Sequence, residues 1–81
     1  MNEKEIFEKL VNIVAESLED DTLKDRVNMD TNIFTDINMN SIAMIYIAMA
    51  IEDVFSVKIN NDDVKNNLTV KDWVNYIKNK M

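Results

Sequence analysis

The residues best placed to do chemistry in this chain are Asn40, Ser41 and Ile42. They lie where a polar segment, residues 30–39, gives way to an uncharged apolar run that ends at Ile51 and is predicted to be helical. A serine at the start of a helix lies at the positive end of the helix dipole, beside backbone N–H groups that can hold a phosphate. Because the sequence offers no other candidate nucleophile site, this position favours a serine that is modified over one that catalyses.

The composition excludes several classes of function. The chain has 81 residues, which predicts a single domain over residues 1–81, and it contains no cysteine and no histidine. Disulfides, thiol chemistry, the usual zinc ligands and the commonest general base are therefore missing, so neither a metal site nor an enzyme is expected. The net charge is −6, and the basic residues are scattered among the acidic ones. This charge predicts no nucleic-acid binding and favours partners with basic surfaces.

The sequence also gives an expectation about location. No cationic region followed by an apolar run is visible near Met1, so no secretory signal is expected. The longest apolar run, residues 42–51, has ten residues, whereas a membrane span needs about 20. We therefore expect a cytoplasmic protein without membrane insertion.

The first half of the chain predicts one amphipathic helix and a long loop. The helix is capped by Asn2, with Glu5 three residues later, and ends near residues 19–21. The loop, residues 20–39, has apolar positions that would pin it to a core: Leu23, Val27, Ile33, Phe34 and Ile37. Loops of this length in small domains are usually functional. Because the chain has no glycine, any left-handed backbone is expected at Asn or Asp.

The second half predicts three further helices. One runs from Ser41 to about Phe55, a short one covers residues 61–64, and a last one is capped by Thr69. Its core-facing residues are predicted to be Val70, Trp73, Val74 and Ile77. The predicted fold is therefore all-α, a small four-helix bundle of three main helices and one short helix, with the long loop between the first and second helices.

The helix that follows Ser41 is apolar on nearly every side, so it must present an apolar surface to more than one neighbour. One stripe of side chains is the predicted core face: Met44, Ile47, Ala48, Ile51 and Phe55. The other is Ile42, Ile45, Tyr46 and Met49, which we predict to be a docking surface. A rotated helix would instead bury this second stripe.

Three segments together resemble the acyl carrier proteins and related phosphopantetheine-binding carrier domains. The segment Asp36-Ile37-Asn38-Met39-Asn40-Ser41-Ile42 is similar to the family signature Asp-Leu-Gly-x-Asp-Ser-Leu. The segment from Ala50 to Ile59 is similar to Ala-Leu-Glu-Glu-x-Phe-x-x-x-Ile. Leu68-Thr69-Val70 and Tyr76-Ile77 resemble the start and end of the family's last helix. The resemblance covers essentially the whole chain.

The resemblance implies a carrier rather than a catalyst. A phosphopantetheinyl transferase would attach 4′-phosphopantetheine from coenzyme A to Ser41, flanked by Asn40 and Ile42. The thiol of that arm would hold acyl, aminoacyl or peptidyl groups as thioesters for acyl-loading and acyl-processing enzymes. The chemistry would belong to the cofactor, which explains how a chain without cysteine could do thiol chemistry.

The sequence departs from the family pattern at informative positions. Asn40 replaces the acid before the serine. Asn38 stands where the family usually has glycine, and asparagine is the residue other than glycine that best tolerates left-handed backbone. Ala43 and Tyr46 occupy positions that often hold acids in carriers of fatty-acid synthesis, and only Glu52 and Asp53 remain near that helix end. The partner surface would then comprise Ile42, Ile45, Tyr46, Met49, Glu52 and Asp53. These departures favour a specialised biosynthetic pathway over bulk fatty acid synthesis.

Several alternatives remain open from the sequence. Ser41 could be simply the N-cap of its helix. The chain could be an unmodified, carrier-like adaptor that binds a partner through its apolar second helix, either as a monomer or as a weak homodimer. A hydrolase with Ser41 as nucleophile would need a base that the spacing does not supply. The acids at residues 19–21 do not follow a calcium-loop pattern.

Overall fold

The computed structural model describes residues 1–37 and 39–81 and contains five α-helices in them. They are α1 (Glu3–Ser17), α2 (Leu23–Arg26), α3 (Ser41–Phe55), α4 (Asn61–Asn66) and α5 (Val70–Lys80). The all-α prediction with three main helices is confirmed. The count of four helices is wrong, because part of the predicted loop forms the short α2, whose Leu23 is buried. Among the helices of the described residues, none has the length and apolar character required to cross a bilayer.

Helix α1 begins as predicted and ends earlier than predicted. The Glu5 backbone N–H donates to Asn2 Oδ1 at 2.9 Å, which caps the first turn. The helix stops at Ser17, and Glu19, two residues later, has left-handed backbone with φ 53°. The backbone N–H groups of Glu19 and Asp20 then turn back to satisfy carbonyls of the last helical turn.

The left-handed positions are not where the sequence predicts them. Within residues 1–37 and 39–81, positive φ occurs at Glu19 and at Ser56, where φ is 55°. Glu19 lies two residues after α1 and Ser56 directly follows α3, so in both places the left-handed backbone belongs to the turn that ends a long helix, whatever side chain stands there. The expectation that Asn or Asp would occupy such positions is therefore wrong for these two sites, and the expectation for Asn38 lies outside the described residues.

The core lies between the three long helices, with α1 in contact with both α3 and α5. The predicted core faces are confirmed, since Met44, Ile47, Ala48, Ile51 and Phe55 of α3 and Val70, Trp73, Val74 and Ile77 of α5 are all buried. The predicted loop anchors Leu23, Val27 and Ile33 are buried too. Phe34 and Ile37 pack against the core as half-buried side chains.

A backbone pairing ties the long loop to the start of α5. The Ile33 N–H donates to the Leu68 carbonyl at 2.8 Å, and the Val70 N–H donates to the Thr31 carbonyl at 3.0 Å. Thr69 caps α5 as predicted, in a reciprocal capping box with Asp72. This pairing thus fixes the loop a few residues before α3 begins.

Candidate functional site

The start of α3 is capped by Asn40 and not by Ser41. Asn40 has extended backbone, and its Oδ1 accepts the Ala43 backbone N–H at 2.8 Å, while its carbonyl accepts the Met44 N–H at 3.0 Å. Ser41 is the first helical residue and is exposed. The alternative of Ser41 as the N-cap is therefore wrong. The Asn40 side chain caps the helix, and the serine side chain stays at the surface.

The electrostatics at this point come from the backbone. The N–H groups of Ser41 and Ile42 precede the first intrahelical bond, so helix geometry gives them no partner within α3. They lie at the positive end of the helix dipole, and the residues from Asn40 to Ile51 carry no charge that would offset it. Such an environment is favourable for an anion such as a phosphate group.

Asn40 supplies a test of this description of the helix start. We expect Asn40→Ala to lower the free energy of unfolding by about 1 kcal/mol, because the Ala43 N–H loses its acceptor. Asn40→Asp keeps the acceptor and adds a charge of the favourable sign, so it should raise the same quantity by about 0.3–1 kcal/mol. Urea denaturation measures both. Asn75→Ala, an exposed position within α5, is the matched control and should not destabilise; an equal loss in Asn75→Ala and Asn40→Ala would contradict the capping role.

The outer face of α3 is a continuous apolar surface. Its residues are Ile42, Ile45, Tyr46 and Met49, with exposed fractions of 67%, 59%, 65% and 56%; we call them the apolar stripe. At 3.6 residues per turn the stripe lies opposite the core face. The alternative in which a rotated helix buries these side chains is therefore wrong. The stripe begins next to Ser41, within reach of any protein that approaches the serine.

The two acids near the end of α3 differ in their surroundings. Asp53 is exposed and extends the line of the apolar stripe. Glu52 is half-buried, and its Oε2 accepts the Ile59 backbone N–H at 2.9 Å. Glu52 thus holds the segment between α3 and α4 against α3, a role that the sequence does not suggest.

Beside Ser41 a groove of about 420 Å³ runs between α3 and α4. On the α3 side it is lined by Ser41, Met44, Ile45, Ala48, Met49 and Glu52, on the α4 side by Asn61, Val64 and Lys65, and between them by Phe34 and Ile59. Most of these side chains are apolar. Sequence reasoning misses the groove, although the spacing of residues 61, 64 and 65 indicates that they share one face of α4.

A hydrogen bond joins α4 to α5. The Tyr76 hydroxyl donates to Asp63 Oδ2 at 2.6 Å, and the Tyr76 ring meets the Trp73 ring edge-on, with 5.7 Å between centroids. The Lys80 Nζ lies over the Tyr76 ring, 5.2 Å from the ring centroid. Burial and the bond to Asp63 raise the pKa of Tyr76 above its ordinary value, so the hydroxyl remains a donor at neutral pH.

Comparison with known proteins identifies the class first. Residues 5–77 match the family described as "Phosphopantetheine attachment site", so the chain belongs to that family. Acyl carrier proteins from Lactobacillus acidophilus and Beutenbergia cavernae are similar to it. The first is 36% identical over 78 residues, which cover 96% of this chain and 95% of the relative. The second is 41% identical over 76 residues, which cover 94% and 90%.

A solved structure agrees with these relatives. The acyl carrier protein of Enterococcus faecalis, whose structure was described in terms of its high thermal stability, superimposes with a TM-score of 0.81 over the full length of both chains, at 27% identity. The chain is thus a member of the acyl carrier protein family, as its signature predicts. Members of this family are non-catalytic carriers with a covalently attached 4′-phosphopantetheine, which confirms the expectations about activity and cofactor.

Proposed function

We propose that Ser41 is the attachment site and that residues 1–81 form one carrier domain. The observation that carries this proposal is the cap: Asn40 takes the Ala43 N–H, so Ser41 is exposed at the positive end of α3. The flanking Asn40 and Ile42 would contact the transferase and the base of the arm. The cytoplasmic setting expected from the sequence is part of the same proposal.

In the loading step the Ser41 Oγ forms a bond to the coenzyme A phosphorus that carries pantetheine. The bond from that phosphorus to the neighbouring phosphate breaks, and adenosine 3′,5′-bisphosphate leaves with its electron pair. The serine proton passes to a base on the transferase. The Ser41 and Ile42 N–H groups then face the phosphodiester that forms.

Once attached, the arm supplies a terminal thiol that holds an acyl group as a thioester. We propose that the groove between α3 and α4 shelters this cargo, because it begins beside Ser41 and is largely apolar. The experiment that tests the attachment is intact mass after incubation with coenzyme A and a broad-specificity phosphopantetheinyl transferase. One added phosphopantetheine is expected; no addition, under conditions that modify a control carrier, would contradict the proposal.

We further propose that partner enzymes dock on the apolar stripe. Asp53 lies at its far end, beside Glu52, whose carboxylate also accepts the Ile59 N–H. The position of the stripe supports this, since an enzyme that works on the arm must approach the side of the domain that carries Ser41. Such docking depends on burial of apolar surface more than on charge. A carrier of this kind fits dedicated loading and processing enzymes in a specialised biosynthetic pathway better than bulk fatty acid synthesis.

The docking proposal predicts a large change from one substitution in the stripe. Tyr46→Glu should raise the KM of the transferase for this carrier about tenfold, which corresponds to about 1.4 kcal/mol of lost binding. Val54→Glu adds the same charge at an exposed apolar residue on another side of α3 and should change KM less than about twofold, within the range of a neutral surface change. Equal KM values for the two variants would contradict docking of the transferase on the apolar stripe. For the unsubstituted carrier we expect KM to vary little between low and high salt.

The stripe also bears on self-association. We propose that the protein is a monomer or a weak homodimer, because an exposed apolar face of this kind can pair with its copy while the net charge of −6 opposes close approach. Sedimentation of the protein and of Met49→Glu distinguishes the two states, since the substitution should remove any dimer.

A further inference from the structure

We propose that Asp63 and Tyr76 determine which acyl chains this carrier holds, by fixing α4 as one wall of the groove. The inference rests on the proposed function, in which the cargo is attached at Ser41 and enters that groove. Neither residue lines the groove. They act through the position of α4, and are specificity-determining in that sense.

Helix α4 cannot hold its position by itself. It has six residues, all within the described chain, and none of them is buried. Isolated helices of this length are not stable in water. Its N-cap, Asn60, makes no side-chain capping bond. The wall of the groove therefore depends on contacts of α4 and its flanks with the rest of the domain, among them the packing of the half-buried Val64 against the core.

The flanks of α4 are held at both ends. Before the helix, the Ile59 N–H donates to Glu52 on α3. After it, the Leu68 carbonyl accepts the Ile33 N–H from the long loop. These two bonds fix where the segment starts and finishes, and they leave its distance from α3 to be set by contacts of α4 itself.

The side chains of α4 face two different neighbours. Asn61, Val64 and Lys65 recur at helical spacing and line the groove. Asp63 lies on another side of the helix and bonds to Tyr76 on α5. A movement of α4 away from α3 would widen the groove and would have to displace the Asp63 carboxylate from its present contact.

The α5 end of this bond is rigid. Tyr76 packs edge-on against Trp73, which is fully enclosed in the core. The bond is short, at 2.6 Å, and its acceptor is a carboxylate, so it belongs to the stronger class of side-chain hydrogen bonds. Through it, the position of the core helix fixes the wall of the groove. A chain that fits the groove leaves this bond intact, whereas a bulkier one must break it.

The test has two measurements on three variants. Tyr76→Phe removes the donor and keeps the ring, Asp63→Ala removes the acceptor, and Asp62→Ala is the matched control, an equal loss of charge on the same helix at an exposed residue. In the unmodified proteins, hydrogen exchange of the α4 amides should be about tenfold faster in the first two variants than in the control, with the α1 amides unchanged. Unchanged α4 exchange would overturn the anchoring role.

The second measurement compares cargo. Saturated acyl chains of different lengths are loaded on the arm, and the gain in Tm on loading is recorded for each. We expect one preferred chain length in the original protein and in Asp62→Ala. In Tyr76→Phe and Asp63→Ala, the difference in Tm gain between the most and least stabilising chain lengths should fall to less than half of its original value. The double variant should match the single ones, because both act on one bond. Loading with an unchanged length profile would overturn this inference alone, whereas failure to load Ser41 would overturn the proposed function and the cargo inference with it.

Discussion

Ser41→Ala will abolish the addition of phosphopantetheine. The substitution removes the only atom at this position that can form the ester, and it should leave the fold unchanged because Asn40 supplies the cap and Ser41 is exposed. Intact mass after incubation with coenzyme A and a broad-specificity transferase measures the effect, which is all or none. Far-ultraviolet circular dichroism should show the same helix content in both proteins.

The matched control for this prediction is Ser17→Ala. Ser17 is also an exposed helical serine, but it lies at the last residue of α1, the negative end of a helix dipole. The Ser17→Ala variant should gain one phosphopantetheine, as the original protein does. An undiminished mass addition in Ser41→Ala would show that another residue carries the arm. An unmodified protein that keeps its cellular role after Ser41→Ala would favour the adaptor over the carrier.

The largest expected effect on stability is that of Ile47→Ala, for which Ile45, two residues earlier on α3, provides the comparison. Ile47 is completely buried and Ile45 is 59% exposed. Ile47→Ala should lower the free energy of unfolding by about 2–5 kcal/mol, since it removes enclosed apolar volume and leaves a cavity. That is a large share of the roughly 5–15 kcal/mol that stabilises a typical domain. Denaturation in urea, analysed with a common slope, gives the difference.

Ile45→Ala is the matched control because it makes the same chemical change on the same helix. It should alter the free energy of unfolding by no more than about 0.5 kcal/mol. Its effect should appear instead in docking, as a higher KM for the transferase, because Ile45 belongs to the apolar stripe. Equal losses of stability in the two variants would mean that α3 is rotated relative to the packing described above.

The parts of the fold that could be predicted are those set by periodicity and caps. Asn2 and Thr69 start helices because their side chains accept backbone N–H groups three residues on, a local interaction that a sequence pattern records. Ile47 and Ile51 could be assigned to the core because their spacing matches the helical repeat. The exposed apolar stripe followed from the same repeat, since so small a domain has too few elements to cover α3 on all sides.

The parts that could not be predicted depend on tertiary contacts. Glu19 and Ser56 adopt left-handed backbone because helices end there, not because their side chains prefer it. Glu52 looked like an acid available to partners, yet the fold directs its carboxylate to the Ile59 N–H. The groove beside Ser41 arises from the placement of α4 against α3, and no local pattern encodes that placement.

The pairing between the long loop and the start of α5 has a consequence for protein synthesis. The backbone of residues 29–33 is held by residues 68–71, and the last of these, Lys71, is made thirty residues after Ser41. At about 5–20 residues per second, a ribosome needs roughly 2–6 s for that stretch, and longer before it leaves the exit tunnel. During this interval the serine exists on a chain whose approach to α3 is not yet anchored. We therefore expect the loop before Ser41 to reach its folded position only after the start of α5 has been made.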